Sequence, residues 1–447
     1  MESIWTMTAD IQKRESLKED ITTDTAVIGG GMAGLLIASF LQKKGIQAVV
    51  LEAARIGSGQ TKNTTAKISL QHGLIYHKLI EEAGEKKAKL YAEANRRAIA
   101  EYRNIINQKQ ISCEFRECSA YLYSLEETEP LKKEEEAAKS LGICAELTTK
   151  TELPFEVLSA LKFYDQAVFH PLLFLKRIAE DLTIYEDTKV LTVERTEEEN
   201  KVVTNHGVVR AKNVVFAAHY PFINVPGYYF LRMHQERSYV IALTNTKQMD
   251  NIYYGIDKEG LSFRKSGDYL LLGGGNHRTG ENTGGGKYQK LYMAAEKWFP
   301  GCKEITRFSA QDCMPLDNIP YIGQFSTSTP DWYVATGFKK WGMTSSMVSA
   351  MIISDLILKG KSPYEEVFGP QRFDLQASAA NLAEEGTQSV KGLSKGVFST
   401  TPKCTHMGCA LEWNPDEVSW DCPCHGSRFS SDGKVIDNPA IEDLSGE

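Results

Sequence analysis

The stretch Thr25–Ala53, TAVIGGGMAGLLIASFLQKKGIQAVVLEA, decides the reading of the whole chain. Ala26, Val27 and Ile28 form a short apolar run, the pattern of a strand buried on both faces. Gly29, Gly31 and Gly34 follow at the spacing G-x-G-x-x-G. From Leu35 to Lys44 the apolar residues fall at helical spacing, and Gly45 ends that helix. Ala48–Leu51 is a second buried-type strand, followed by Glu52 and Ala53. In such a unit Gly29 permits the tight turn, Gly31 lets a diphosphate approach the backbone, and Gly34 lets helix and strand pack closely. The helix start, at Met32 and Ala33, points free N–H groups at the diphosphate. Glu52 can accept hydrogen bonds from a ribose 2′-OH, and its charge would repel a 2′-phosphate, which argues against NADP. A glycine-rich turn alone is a weak signal. Here strand, glycines, helix, strand and acid come in order, which points to a dinucleotide site.

The 447 residues are enough for two or three domains. A hydrophobic fraction of 42% and a charged fraction of 24% are ordinary for a globular protein. The net charge of −7 argues against a nucleic-acid partner. No apolar run approaches the ~18 residues of a membrane helix, and the polar N-terminus has no apolar signal core. A cytoplasmic location is the expectation. Four of the nine cysteines, Cys404, Cys409, Cys422 and Cys424, crowd the C-terminus. Without a secretion signal, such a cluster points to metal binding or redox chemistry.

Between these two ends the pattern alternates. Residues 74–109 and 126–141 have helical spacing, 111–125 is β-like, and FHPLLFLKRIAEDL, 169–182, is an amphipathic helix with Pro171 in its first turn. Val202–Val203 is expected to pair with Val208–Val209 across a polar turn, and Asn213–Ala218 is a buried parallel-type strand. Residues 229–276 hold several strands separated by glycine turns. The strand WYVAT, the turn Gly337–Gly342 and a helix from about Met343 to Leu358 repeat the nucleotide-binding rhythm. Residues 371–395, rich in Ala, Glu, Gln and Ser, are expected to be a linker.

On these residues, about 24–360 of the chain resembles the D-amino-acid-oxidase-like family of FAD-dependent oxidoreductases, the glycine oxidase/sarcosine oxidase type. VIGGGMAG and Glu52 look like that family's pyrophosphate and ribose contacts. RIGSGQTKNTTAK is similar to its R-x-G-x-G-A/T-S segment, which implies that Arg55, Ser58, Gly59, Thr61, Thr64 and Thr65 lie along the cofactor. Val190 sits where the family places a small apolar residue near the adenine, and Ala217 and Ala218 resemble a second strand end at the dinucleotide. MPLDNIPYIGQ is similar to the family's D-x-x-P-x-I-G stretch. TGFKKWGMTSS looks like its terminal glycine segment, so Gly337, Phe338, Gly342, Met343 and Thr344 would border the flavin ring. NAD is the competing cofactor, and core packing the competing role for Phe338 and Met343. In the β-rich middle, Arg237, Tyr254, Arg264 and His277 are candidate substrate contacts, because arginine can pair bidentately with a carboxylate. A surface or ion-pair role competes for each arginine, and no general base stands out.

The C-terminal segment CTHMGCALEWNPDEVSWDCPCHGSRFSSDGKVIDNPA has C-x-H, fifteen residues, then C-x-x-H. It closely resembles the Rieske iron–sulfur family. The resemblance implies a [2Fe–2S] cluster held by Cys404 and His406 from one loop and Cys422 and His425 from another. It further implies a disulfide between Cys409 and Cys424 and a hydrogen bond from Ser427 toward a bridging sulfide. A zinc site or unliganded cysteines compete with this reading. Only about eight residues, 396–403, precede the first ligand, so the domain is shorter than the family's.

The expected fold is α/β: a Rossmann-like FAD-binding domain with an interleaved β-rich substrate domain, plus a small, truncated all-β Rieske module. FAD-binding parts are expected at about 24–110, 160–228 and 305–365, substrate parts at about 111–159 and 229–304, and the module at 396–447. The expected function is oxidation of a small amine or amino acid by FAD, with electrons passing between flavin and cluster and an unidentified external donor or acceptor. Two alternatives stand beside it: an O2-using oxidase with a vestigial cluster, and a redox sensor without turnover.

Overall fold

The structure, a computed structural model, describes residues 2–372 and 401–444. The expected linker lies almost wholly outside the described residues. Strand Ile21–Ile28 sits in the middle of an eight-stranded sheet. It pairs in parallel with Ala48–Leu51 on one side and Val208–Phe216 on the other, Val27 opposite both Val50 and Val215. A strand with parallel neighbours on both sides is covered by helices on both faces, so Ala26, Val27 and Ile28 must all be apolar, and all are buried. Thr329–Thr336 extends the sheet in parallel beyond Val208–Phe216, and Thr183–Tyr185 extends it beyond Ala48–Leu51. The hairpin pairing of Val202–Val203 with Val208–Val209 forms in the register read from the sequence.

Helix Met32–Lys43 packs on this sheet and against helix Gly342–Lys359. Gly34 is the residue that allows it, since a Cβ there would lie 1.9 Å from the Gly29 carbonyl oxygen. Gly29 itself has φ +112° and backs onto Ala217, whose carbonyl oxygen would be 2.6 Å from an added Cβ.

A second, nine-stranded sheet faces the first domain's site. Its path runs Lys303–Pro315, Met233–Thr244, Tyr269–Arg278, Ser262–Ser266, Ile252–Gly255, Arg116–Ser124, Ser159–Val168 and Lys67–Ile68, with Ala145–Thr148 paired beside Ser159–Val168. Thus Ser159–Val168 and Lys303–Pro315 are strands of the substrate sheet, although the sequence reading assigned most of each to the FAD-binding parts. That reading also passed over helix Lys287–Trp298, whose buried Tyr288, Leu291 and Ala295 form a stripe at spacings of three and four.

Among the described residues the C-terminal module is a four-stranded antiparallel sheet of three-residue strands, Glu412–Asn414, Ser419–Asp421, Arg428–Ser430 and Val435–Asp437. Its buried core is small: Cys404, Cys409, Leu411, Cys422, Cys424, Phe429 and Ala440.

Candidate redox site

A cavity of about 760 Å³ opens where the glycine turn meets the second sheet. Gly29, Gly31, Met32, Ala33, Glu52 and Ala53 line one end. Gly31 caps helix Met32–Lys43 without a side chain, so its first-turn amides face the cavity, and Thr61 Oγ1 accepts from Met32 N at 3.0 Å. A Cβ on Gly31 would stand 3.3 Å from that Thr61 oxygen. The Glu52 carboxylate ties the turn together, accepting from Gly30 N at 2.7 Å and Ala54 N at 2.8 Å. Desolvation pushes its pKa up, against the pull of those two amides. Two oxygens with about four acceptor sites leave room for a ribose hydroxyl. Ser58, Gly59, Thr61, Thr64, Val190, Ala218, Gly342 and Met343 also line the cavity.

Other expected cofactor residues stand behind this lining. Gly34 is sealed against Gly29, and Gly337 (φ +73°) is closed off by Pro315. Arg55 pairs with Glu186 at 2.8 Å and donates to the Ile11 carbonyl, so it braces the loop. Thr344 Oγ1 accepts from Ser69 N at 3.0 Å and donates to Ser69 O at 2.8 Å, pinning the last helix to the segment after the loop.

At the other end stand Lys67, Tyr254, Phe338, Lys339, Lys340 and Asp312. Lys340 Nζ bridges Glu236 Oε2 at 3.2 Å and Asp312 Oδ2 at 3.3 Å. Although desolvation opposes it, hydrogen bonds and charge from His234 and Lys340 hold the Glu236 carboxyl down at about 2. Lys67 is buried, with Nζ 5.6 Å from the Tyr254 ring centroid. Burial, reinforced by the charge of Arg264, pushes its amine down to about 7.

Of the four expected substrate contacts, Tyr254 lines this cavity and the other three point elsewhere. Arg264 is buried over the Trp5 ring at 4.9 Å and donates to Phe169 O at 2.8 Å. His277 stacks on Tyr239 at 5.6 Å. Arg237, 1% exposed, is paired with Glu417 of the module: Nε to Oε2 at 2.9 Å, with a second contact from Nη2 to Oε1.

The module's two ligand loops have one hydrogen-bond plan. Gly408 N donates to Cys404 O at 2.8 Å and Cys404 N to Cys409 O at 2.9 Å. Likewise Gly426 N donates to Cys422 O at 3.0 Å and Cys422 N to Ser427 O at 2.8 Å. Each glycine takes a positive φ, +78° and +86°, which closes the turn. The loops bring Cys404 and Cys422 beside each other and set the His406 and His425 rings 5.1 Å apart. Cys409 and Cys424 are joined as a disulfide, so neither is available as a ligand even though their sulfurs lie within 4.8 Å of that of Cys422. His406 Nε2 is taken up by Asn224 Oδ1 at 2.8 Å, while its Nδ1 is buried without a hydrogen-bond partner. Two thiols and two neighbouring imidazole rings, with the His406 Nδ1 free of any hydrogen bond, are the donor set a Rieske cluster needs. Ser427 Oγ accepts from Ala440 N at 3.0 Å.

The module sits directly on the cavity. Gln235 Nε2 donates to His425 O at 2.8 Å and to Asn438 O at 2.9 Å. Gln311, a cavity residue, donates to Gly426 O at 2.6 Å and to Gln235 Oε1 at 2.8 Å. A Cβ on Gly426 would meet Gln235 Cβ at 2.5 Å, so the second ligand loop and the sheet are in tight contact.

Residues 24–356 match the family described as FAD dependent oxidoreductase, and residues 376–445 match the Rieske [2Fe-2S] domain. The chain belongs to the FAD dependent oxidoreductase family. It is a flavoenzyme with a C-terminal Rieske domain, and its cofactors are FAD and a [2Fe–2S] cluster. A Bacillus subtilis (strain 168) protein, YhfW, named as a Rieske 2Fe-2S iron-sulfur protein, is 35% identical over 495 residues, spanning 99% of this chain and 97% of its own. The fold is shared with glycine oxidase from Geobacillus kaustophilus (TM-score 0.67, 16% identity, 79% of this chain and 99% of that one). It is also shared with L-proline dehydrogenase from P. horikoshii (TM-score 0.66, 19% identity, 80% and 98%). No helix among the described residues is long and apolar enough to cross a membrane.

Several residues of this flavoenzyme's cavity carried no signal in the sequence. Lys67 closes a Gly- and Thr-rich loop and looks like a solvated lysine, and Lys340 looks like one of a surface pair. One signal was available: Lys339 and Lys340 interrupt a glycine segment otherwise made of apolar and small residues.

Proposed function

We propose that this flavoenzyme oxidises an amine or amino-acid-like substrate and passes the electrons between its flavin site and the Rieske cluster of the same chain. The observation that carries the reading is the seat of the module: the second ligand loop is hydrogen-bonded, through Gln235 and Gln311, to the wall of the flavin cavity. When bound, FAD supplies a two-electron acceptor and the cluster a one-electron site. Oxidation of an amine to an imine releases two electrons and two protons, so two single-electron exits to an outside acceptor complete one turnover.

The chain's own residues have separable roles in this reading. The glycine turn and the first-turn amides of helix Met32–Lys43 hold the diphosphate. Cys404, His406, Cys422 and His425 hold the cluster. Helix Gly342–Lys359 starts at the cavity, so its first-turn amides would supply donors to the flavin's carbonyl-bearing edge. Lys67 and Tyr254 orient the substrate, with Lys67 meeting its acidic head group. Lys340, clamped by Glu236 and Asp312, supplies a fixed cation beside them.

The test is anaerobic mixing of the purified protein with a panel of amino acids and secondary amines. Flavin bleaching should be followed by the electron-spin-resonance signal of a reduced Rieske cluster. A flavin that stays fully reduced beside an oxidised cluster would refute the transfer and favour direct reoxidation by O2.

A further inference from the structure

The flavin cavity is not built by the flavin domain alone. Val435, Ile436, Asp437, Asn438, Ala440 and Ile441, all from the last strand and tail of the Rieske module, form part of its wall. Four hydrogen bonds fix them there. Asn438 Nδ2 donates to Ala218 O at 2.7 Å and to Tyr220 O at 2.6 Å. Gln60 Nε2 donates to Asp437 Oδ1 at 3.0 Å. Lys189 Nζ donates to Ile441 O.

Each anchor belongs to the nucleotide end of the cavity. Lys189 precedes Val190, Gln60 lies between Gly59 and Thr61, and Ala218 follows the strand that pairs with Ile21–Ile28. Ile436 is 48% exposed, a large apolar side chain facing open cavity where burial by a ligand would be favourable. The same wall reaches the second ligand loop: Ala440 N donates to Ser427 Oγ at 3.0 Å, and the Ser427 carbonyl accepts from Cys422 N at 2.8 Å.

We propose that segment Val435–Ile441 of the Rieske module is a working part of the FAD-binding site, closing over the adenosine half of the cofactor, so that FAD binding and module docking stabilise each other. Two ligands that bind one docked state are linked, and the coupling is reciprocal. FAD should tighten docking of the module, and a docked module should tighten FAD binding by the same factor. This holds whether or not electrons pass between the centres.

The test uses full-length protein carrying Ile436→Asp, with Ile436→Ser as a milder second variant. Neither change touches the Arg237–Glu417 pair or a cluster ligand. The readouts are the dissociation constants of FAD and FMN, from the fluorescence of the free flavin, and iron per chain. Ile436→Asp should weaken FAD at least tenfold and Ile436→Ser several-fold, with iron content unchanged. FMN, which lacks the adenosine half, should bind as to the wild type. Wild-type FAD affinity in both variants overturns the proposal, and so does an equal weakening of FAD and FMN, which would place the segment away from the adenosine.

Discussion

Replacing Arg237 with Met should release the module from the flavin domain. Arg237 and Glu417 are 1% and 4% exposed, so their charges meet out of water. Against the desolvation that pushes it up, the charges of Arg237 and then Arg428 hold the Glu417 carboxyl at about 2 rather than its ordinary 4.5. A difference of that size is worth about 3 kcal/mol at neutral pH. Arg237 also donates to Gln311 Oε1 at 3.0 Å and to Ser309 Oγ, and these acceptors would lose their partner. Removing one member of a buried pair costs about 3–5 kcal/mol in general, so a loss of about 3 kcal/mol is expected. The share of that depression that Arg237 supplies, beside the share from Arg428 within the module, stabilises docking above pH 4.5 and is lost as pH falls toward 2. The gap between wild type and variant should therefore narrow over that window. The assay is chemical denaturation followed by the visible bands of the cluster, which report the module alone. Arg237→Met with Glu417→Met should recover at least half of the loss, because the stranded carboxylate is gone. A single-variant loss below about 1 kcal/mol, or a double variant that is simply additive, would refute the account of the pair as the module's latch.

Gly31→Asp should abolish FAD binding, because its carboxylate would enter the diphosphate's place beside Thr61; flavin released on heating, per chain, measures this. Lys67→Met should weaken benzoate, read by perturbation of the flavin spectrum, and make its affinity independent of pH near 7. In the wild type the Lys67 amine is charged below about 7 and neutral above it, so the benzoate dissociation constant should rise by up to about tenfold per pH unit above 7. Cys409→Ser opens a link between residues 15 apart, for which a loop-entropy cost of about 3 kcal/mol is expected; iron should be lost at lower temperature while FAD stays bound at the start of the transition.

The parts legible in the sequence were those whose physics is local. A strand-to-helix turn this tight needs glycine at Gly29 and Gly34, where an added Cβ would meet backbone at 2.6 Å and 1.9 Å, and a diphosphate's approach to the backbone is the reason for glycine at Gly31. A ligand loop carries Cys404 and His406, or Cys422 and His425, within a few residues, with Gly408 and Gly426 closing the turns. Arg237 was not legible because its partner lies 180 residues away in another module, and nothing in a strand sequence distinguishes an arginine aimed at a substrate from one aimed at Glu417. Lys67 was hidden for a similar reason: strand Lys67–Ile68 is two residues long and exists only through its pairing with Ala167 and Val168. That Ser159–Val168 joins the nine-stranded sheet was not legible because a chain that crosses between two sheets several times leaves no composition shift at each crossing.

The flavin domain supports the module's ligand loops. Among the described residues the module's apolar cluster has seven buried side chains, a small core to hold two loops in register, and burial of the chain falls steeply as domains shrink. What the module lacks, its neighbour supplies. Gln235 and Gln311 bind the carbonyls of His425 and Gly426, Asn224 holds the His406 ring by its outer nitrogen, and Phe230 packs edge-on against His425 at 5.8 Å. Such outer contacts orient metal ligands and set how much water reaches them, which tunes the potential of the centre they surround. Asn224→Ala therefore should shift the cluster's midpoint potential while leaving that of the flavin in place, because Asn224 grips the cluster ligand and is no part of the flavin cavity's wall. Potentiometric titration separates the two centres by their spectra, and a cluster potential unchanged in that variant would show that the segment around Asn224 covers the module without shaping its chemistry.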